Sequence, residues 1–168
     1  MSVINIEFKA RVPNSDDFEL KLKSLAPVFK GLDNQVDTYF KAGNGRLKLR
    51  EGNIENALIQ YSRENISGSK KSEVLLYNHQ PHQTLKEILS RELGILKVIS
   101  KKRKIYFIDN VKFHFDKVKD LGDFIEVEAI DDKGERNESQ LRAQCDQYAA
   151  FFGLTPDQFM SGSYSDMI

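Results

Sequence analysis

Residues 3–12 read VINIEFKARV, and the order of residue types in this stretch decides how the rest of the chain is read. Ile4, Ile6, Phe8, Ala10 and Val12 alternate with Asn5, Glu7, Lys9 and Arg11. Successive side chains of a strand point to opposite faces, so one face here is apolar and the other is ionic with both signs. The pattern returns in DFIEVEAI (123–130), where Ile125, Val127 and Ala129 interleave with Glu126 and Glu128. An ionic strand face ordinarily meets water. Basic faces of some strands set beside carboxylate faces of others also suit a closed barrel with an ionic lumen.

Composition bounds the molecule. At 168 residues and 40% hydrophobic content the chain can bury a sizeable core, and a single domain over 1–168 is expected. Lys plus Arg and Asp plus Glu stand at 25 each, so the chain lacks the overall basic excess of a general nucleic-acid binder. Cys145 is the sole cysteine, which excludes an internal disulfide and a cysteine-based zinc cluster and fits a reducing compartment. No apolar run approaches a membrane span, and Met1 to Arg11 has no signal-peptide core. These features predict a soluble, cytoplasmic protein with no nucleic-acid or membrane partner, and they leave a homodimer open.

Strand signals fall at about 3–12, 35–41, 45–51, 57–64, 71–77, 97–108, 111–118 and 123–130, most of them divided by turns such as Gly43-Asn44-Gly45, Gly52-Asn53 and Asp109-Asn110. Helices are predicted over 15–26, over 84–93 with a Thr84/Glu87 capping box and a Gly94 stop, and over 139–152 with Leu141, Cys145, Tyr148, Ala149 and Phe152 on one stripe. The segment 64–71 is expected to be a mobile loop. Helices with one apolar stripe need an apolar partner, which the oily strand faces can supply. The predicted architecture is α+β, an eight-stranded antiparallel β-barrel with helices packed outside.

A period of two assigns inward positions to Asn5, Glu7, Lys9 and Arg11; to Arg46, Lys48, Arg50 and Arg63; to Lys101, Arg103, Lys112, His114 and Asp116; and to Glu126 and Glu128. Such charges must pair, stay wet or await a highly charged ligand. Arg forks onto phosphate oxygens and Lys offers a mobile point charge, while carboxylates hold hard cations. A polyphosphate with its metal ion is the ligand that suits this mixture.

Seven segments then resemble, in the same order, the signature segments of the CYTH superfamily of triphosphate tunnel enzymes: NIEFK (5–9), QVDTYF (35–40), GRLKLRE (45–51), YSR (61–63), VISKKRKIY (98–106), FHFDKVKDLGDFIEVE (113–128) and SYSDMI (163–168). The DTYF, LKLRE and SYSD portions are most similar to the class IV adenylyl cyclase, or CyaB-type, group. The resemblance implies a triphosphate held by lumen Lys and Arg, and a divalent metal, Mg²⁺ or Mn²⁺, held by acidic residues. By position it implies that Lys48, Arg50, Arg63, Lys101 and Arg103 bind the substrate phosphates. It further implies that Glu7, Asp116, Glu126 and Glu128 bind metal, and that Lys9 is the catalytic basic group of the N-terminal motif. The departure is Asn5, where the family carries Glu: a neutral carbonyl oxygen can ligate a metal but brings no charge, which predicts weaker metal binding or one metal in place of two. The His-Phe pair that often precedes the motif in the cyclases is also absent.

Other residues have weaker claims. His79 and His82 flank Pro81 in a polar loop without a further nearby ligand. His114 shares the inward parity of Asp116; contact with phosphate or metal is open to it, but a hydrogen-bonded structural histidine is the expectation. Lys102 and Lys104 alternate outward from the 101–104 basic run. The leading functional expectation is metal-dependent cyclisation of ATP to cyclic AMP and pyrophosphate. The alternatives are hydrolysis of tripolyphosphate, thiamine triphosphate or a nucleotide, and non-catalytic binding of a polyphosphate or nucleotide.

Overall fold

The computed structural model describes residues 3–63 and 66–168, with the Arg63 side chain outside the described set. The elements in chain order are β1 (Val3–Val12), α1 (Ser15–Lys23), β2 (Val28–Phe40), β3 (Arg46–Glu51), β4 (Ala57–Arg63), β5 (Lys70–Asn78), α2 (Gln83–Leu93), β6 (Ile95–Ile108), β7 (Val111–Val118), β8 (Gly122–Ile130) and α3 (Glu138–Phe151), followed by short 3-10 turns at Pro156–Gln158 and Tyr164–Asp166. The eight strands form a closed antiparallel barrel in the order β1-β5-β4-β3-β2-β6-β7-β8. β3 therefore stands across the barrel from β8, which sets Lys48 and Arg50 on the wall opposite Glu126 and Glu128.

The apolar faces point outward. Ile6, Phe8, Ala10 and Val12 of β1 join Phe113 and Phe115 of β7 and Ile125, Val127 and Ala129 of β8 in the main core, which Leu22 of α1 and Leu141, Cys145, Tyr148 and Phe152 of α3 cover. The rings meet edge to face, Phe113 with Tyr148 at 4.7 Å and Phe8 with Phe159 at 5.4 Å, the arrangement that aromatic quadrupoles favour. Cys145 is part of this core: its thiol donates to the Ile6 carbonyl, and burial pushes its pKa up to about 12.

Three local expectations change. β2 begins at Val28, because Val28 and Phe29 pair with Phe107 and Tyr106 ahead of a register shift at Gly31, whose φ of 139° breaks the alternation. The loop expected over 64–71 is shorter, since Lys70 already opens β5 opposite Glu7; Glu64 and Asn65 lie outside the described residues. The cap of α2 is His82, whose side chain accepts from the Thr84 amide, and α2 buries none of its residues fully despite its apolar stripe. No helix among the described residues is long and apolar enough to cross a membrane.

Candidate active site

β1, β3, β6, β7 and β8 deliver their ionic faces to the lumen, and most of those side chains are buried. Glu7, Lys9, Arg50, Lys101, Arg103, His114, Asp116 and Glu126 are each at most 7% exposed. Arg11 and Arg46, also expected inward, stand at the rim: Arg11 donates to the Leu121 carbonyl and Arg46 pairs with Asp166 at 2.6 Å. The Arg63 backbone pairs with Ser72 at the end of β4, and its side chain lies outside the described residues.

The two ends of the lumen differ. At the end where Arg11 pairs with Phe124, the side chains of Tyr39, Ile99, Val118, Phe124 and Tyr164 pack together and fill the barrel. Tyr164 comes from the C-terminal segment, which is anchored where the Met160 amide donates to the Lys9 carbonyl and where Lys70 donates to the Met160 and Ser161 carbonyls. Its hydroxyl donates to Asp116 at 2.6 Å and its ring lies 3.6 Å from the Lys9 ammonium. The other end opens into a cavity of about 590 Å³. Asn5, Lys48, Arg50, Lys112, His114 and Glu128 line its ionic part, and Ala57, Ile59, Val74 and Leu76 form an apolar wall from β4 and β5.

The cations are arranged by carboxylates. Asp37, fully buried, accepts two hydrogen bonds from Arg50 at 2.9 and 2.8 Å, one from Lys101 at 2.7 Å, and lies 3.2 Å from the Lys48 ammonium. Burial alone would raise its pKa, but Arg50, Lys101 and Lys48 hold it well below the usual carboxylate range. Asp116 receives Arg103 in a fork at 2.7 and 2.6 Å as well as the Tyr164 hydroxyl. As placed, both its oxygens orient Arg103, whose other contact is Glu126 at 3.0 Å. Fork geometry of this kind fixes guanidinium planes more firmly than a point contact does.

Glu55 was invisible to strand parity because it sits in the turn between β3 and β4. Asp33 shapes that turn, accepting from the Ile54 and Glu55 amides at 2.9 and 3.0 Å, and a Cβ at Gly52 would stand 2.5 Å from Asp33 Oδ1. The turn thus aims Glu55 into the mouth, where it meets Lys112 at 2.5 Å and Arg50 at 3.4 Å. Asp37 and Tyr164 were also missed, although both lie in segments that carry the family resemblance.

Opposite the cations is an acidic group. Ligand atoms of His114, Glu126 and Glu128 all lie within 4.8 Å of one another. His114 Nδ1 is 3.5 Å from Glu126 and 3.8 Å from Glu128, long contacts, and neither ring nitrogen makes a hydrogen bond of ordinary geometry among the described residues. Burial, followed by the charge of Arg103, lowers its pKa to about 3 and keeps the ring neutral. Burial, followed by Glu126 and Glu7, pushes Glu128 up to about 7. Glu126 goes the other way: Lys9, His114 and Arg103 together overcome the effect of its burial. Asn5 Oδ1, at a residue 6% exposed, is also without a partner and opens on the same cavity. An unpartnered amide oxygen and a neutral imidazole beside the Glu126 and Glu128 carboxylates are a donor set that fits a divalent cation.

A closed barrel whose lumen sets forked cations against metal-competent carboxylates defines a class of protein built to hold a polyanion. The CYTH domain family matches residues 3–147, and the chain belongs to that family. Among solved structures, the PH1012 protein of Pyrococcus horikoshii OT3 is 26% identical at a TM-score of 0.81, over 98% of this chain and 99% of that one. An adenylate cyclase candidate from Vibrio parahaemolyticus is 18% identical at 0.79, over 98% and 97%. An adenylyl cyclase candidate from Hippeastrum, for which a dominant triphosphatase activity is described, is 14% identical at 0.64, over 98% and 93%. No curated protein matches the chain.

Proposed function

We propose that the protein is a metal-dependent enzyme acting on a nucleoside triphosphate, and that it converts ATP to cyclic AMP and pyrophosphate. The observation that carries this reading is the cavity of about 590 Å³, in which Lys48, Arg50 and Lys112 share a space with Glu128 and His114 and with an apolar wall. A bare polyphosphate has no use for Ala57, Ile59, Val74 and Leu76; a nucleoside attached to it does. The volume lies in the range that small organic ligands occupy, about 300–1,000 Å³.

In this reading Lys48, Arg50, Arg63, Lys101 and Arg103 hold the phosphates, and Lys9 neutralises charge at the inner end of the chain of phosphates. Asp37 and Asp116 keep Arg50, Lys101 and Arg103 in place before substrate arrives, so little reorganisation is needed during reaction. Glu7, Glu126 and Glu128 would hold Mg²⁺ or Mn²⁺, which when bound would lower the pKa of an attacking hydroxyl and offset charge on the leaving group. In the reaction the ribose 3′-oxygen bonds to the α-phosphorus, the bond from that phosphorus to the bridging oxygen breaks, pyrophosphate leaves, and the hydroxyl proton passes to solvent at the open mouth. No covalent enzyme intermediate is required, because positioning and charge stabilisation dominate phosphoryl chemistry.

The open mouth beside Glu128 also favours a second reading, hydrolysis of an organic triphosphate or tripolyphosphate by water attacking the same clamped phosphates. Incubation with ATP and Mg²⁺ or Mn²⁺, followed by chromatography of the products, separates the two. Cyclic AMP and pyrophosphate in equal amounts are expected. ADP and phosphate would replace the cyclase reading with the hydrolase, and no turnover of ATP, thiamine triphosphate or tripolyphosphate would overturn both.

A further inference from the structure

His114 has a place in the fold that a structural histidine would not need. It is 1% exposed, it lies between Ile105 of β6 and Glu126 of β8 in register, and it lines the main cavity with no hydrogen-bond partner at Nε2 and only long contacts at Nδ1, to Glu126 and Glu128, so that neither ring nitrogen has a well-formed hydrogen bond among the described residues. A buried polar group without a partner is costly, and natural folds retain one where a ligand completes it. Two donors that each stand about 2.1 Å from one ion are at most about 4.2 Å apart. The separations of His114 Nδ1 from Glu126 and Glu128, 3.5 and 3.8 Å, already satisfy that limit.

We propose that His114 is a metal ligand through a ring nitrogen, beside Glu126 and Glu128, and that this donor makes the site prefer a first-row transition ion such as Mn²⁺ over Mg²⁺. The reasoning is one of donor chemistry. Mg²⁺ takes oxygen ligands in near-ideal octahedral geometry and keeps several waters, and carboxylates serve it well. Imidazole nitrogen adds affinity for the first-row transition metals and little for Mg²⁺. Position 5 strengthens the effect: Asn5 brings a neutral oxygen to the cavity, so the site attracts cations less by bulk negative charge and depends more on the identity of its donors.

The inference deepens the metal part of the proposed function and rests on that site being a metal site, but its test needs no substrate. The Mn²⁺-loaded protein is examined by pulsed electron paramagnetic resonance, which reads the magnetic coupling of a directly bound nitrogen. A ¹⁴N coupling is expected, and it should convert to the ¹⁵N pattern when the protein is grown on ¹⁵N-histidine. A His79→Asn, His82→Asn double variant should keep the coupling, which excludes the two loop histidines. Calorimetric titration should show Mn²⁺ binding at least about tenfold more tightly than Mg²⁺ in the wild type, and a ratio closer to one in His114→Gln. The labelling measurement uses the unmodified chain, so it stands even if His114→Gln fails to fold. Absence of a histidine coupling in Mn²⁺-loaded wild type, loss of it in the double variant, or failure of Mn²⁺ to bind would each overturn the proposal. A clear coupling in a protein that turns over no triphosphate would support it while refuting the enzymatic reading.

Discussion

Three cations, Lys48, Arg50 and Lys101, converge on the one carboxylate of Asp37, which is wholly buried. Removing one partner of a buried charge network leaves the others uncompensated, which costs about 3–5 kcal/mol. Asp37→Asn should therefore lower stability by about that amount in urea unfolding, even though it keeps the size and most of the shape of the side chain. A loss below about 1 kcal/mol would mean that the three cations find water or one another tolerable without it. Period-two reading located the cations but not this hub. In QVDTYF the parity partners of Asp37 are Gln35 and Tyr39, neither of them charged, so nothing marks the aspartate as part of an ionic face. Glu55 escaped for another reason, since turn residues have no periodicity and only the Asp33 hydrogen bonds turn it inward.

The C-terminal segment acts as an element although it contains only short turns. Phe159 bridges Ala10, Met160 bonds to Lys9, and Tyr164 fills one end of the barrel against Phe124 at 4.9 Å. Tyr164→Phe removes only the hydroxyl that Asp116 accepts from and should cost about 1–2 kcal/mol. Tyr164→Ala also removes a packed ring and should cost about 3–5 kcal/mol. Thermal unfolding of both variants checks this, and equal losses would show that the ring contributes nothing beyond its hydroxyl. The main strands β1, β7 and β8 were legible because their alternation is unbroken. The first half of β2 was not, because Lys30, Gly31 and Asn34 interrupt the pattern and pairing with the long β6 imposes the strand from outside. The α2 cap was misread because a histidine ring took the role that Thr84 offered by sequence.

The buried lumen carries a pH dependence of its own, through Glu128 and His114. In the metal-free protein Glu128 has its pKa raised to about 7 by burial and by Glu126 and Glu7, against an ordinary value of 4.5. A carboxyl raised in the fold gives stability that is fully present below pH 4.5 and is lost as pH rises through about 7. Its neighbour His114, held neutral down to about 3, removes stability in the opposite direction, as pH falls below its ordinary 6.5. Glu128→Gln abolishes the first trend alone. With chelator present, the stability of the variant relative to wild type should improve by on the order of 3 kcal/mol between pH 4.5 and 7, as read by chemical denaturation across that range. A constant difference would show that Glu128 ionises normally. That the strands close was legible from their number and shared parity, whereas the ring order was not, because β2 lies beside β6 and β1 between β5 and β8. This last adjacency has a consequence for synthesis. Asn5 pairs with Ile130, so β1, made well before β8, waits for it before its second edge is covered. At about 5–20 residues per second that interval is roughly 6–25 s, during which an apolar ribbon with an open edge is exposed to other nascent chains. The lysines and glutamates that later line the cavity would meanwhile serve as gatekeepers against aggregation, giving the ionic face a duty before the barrel exists.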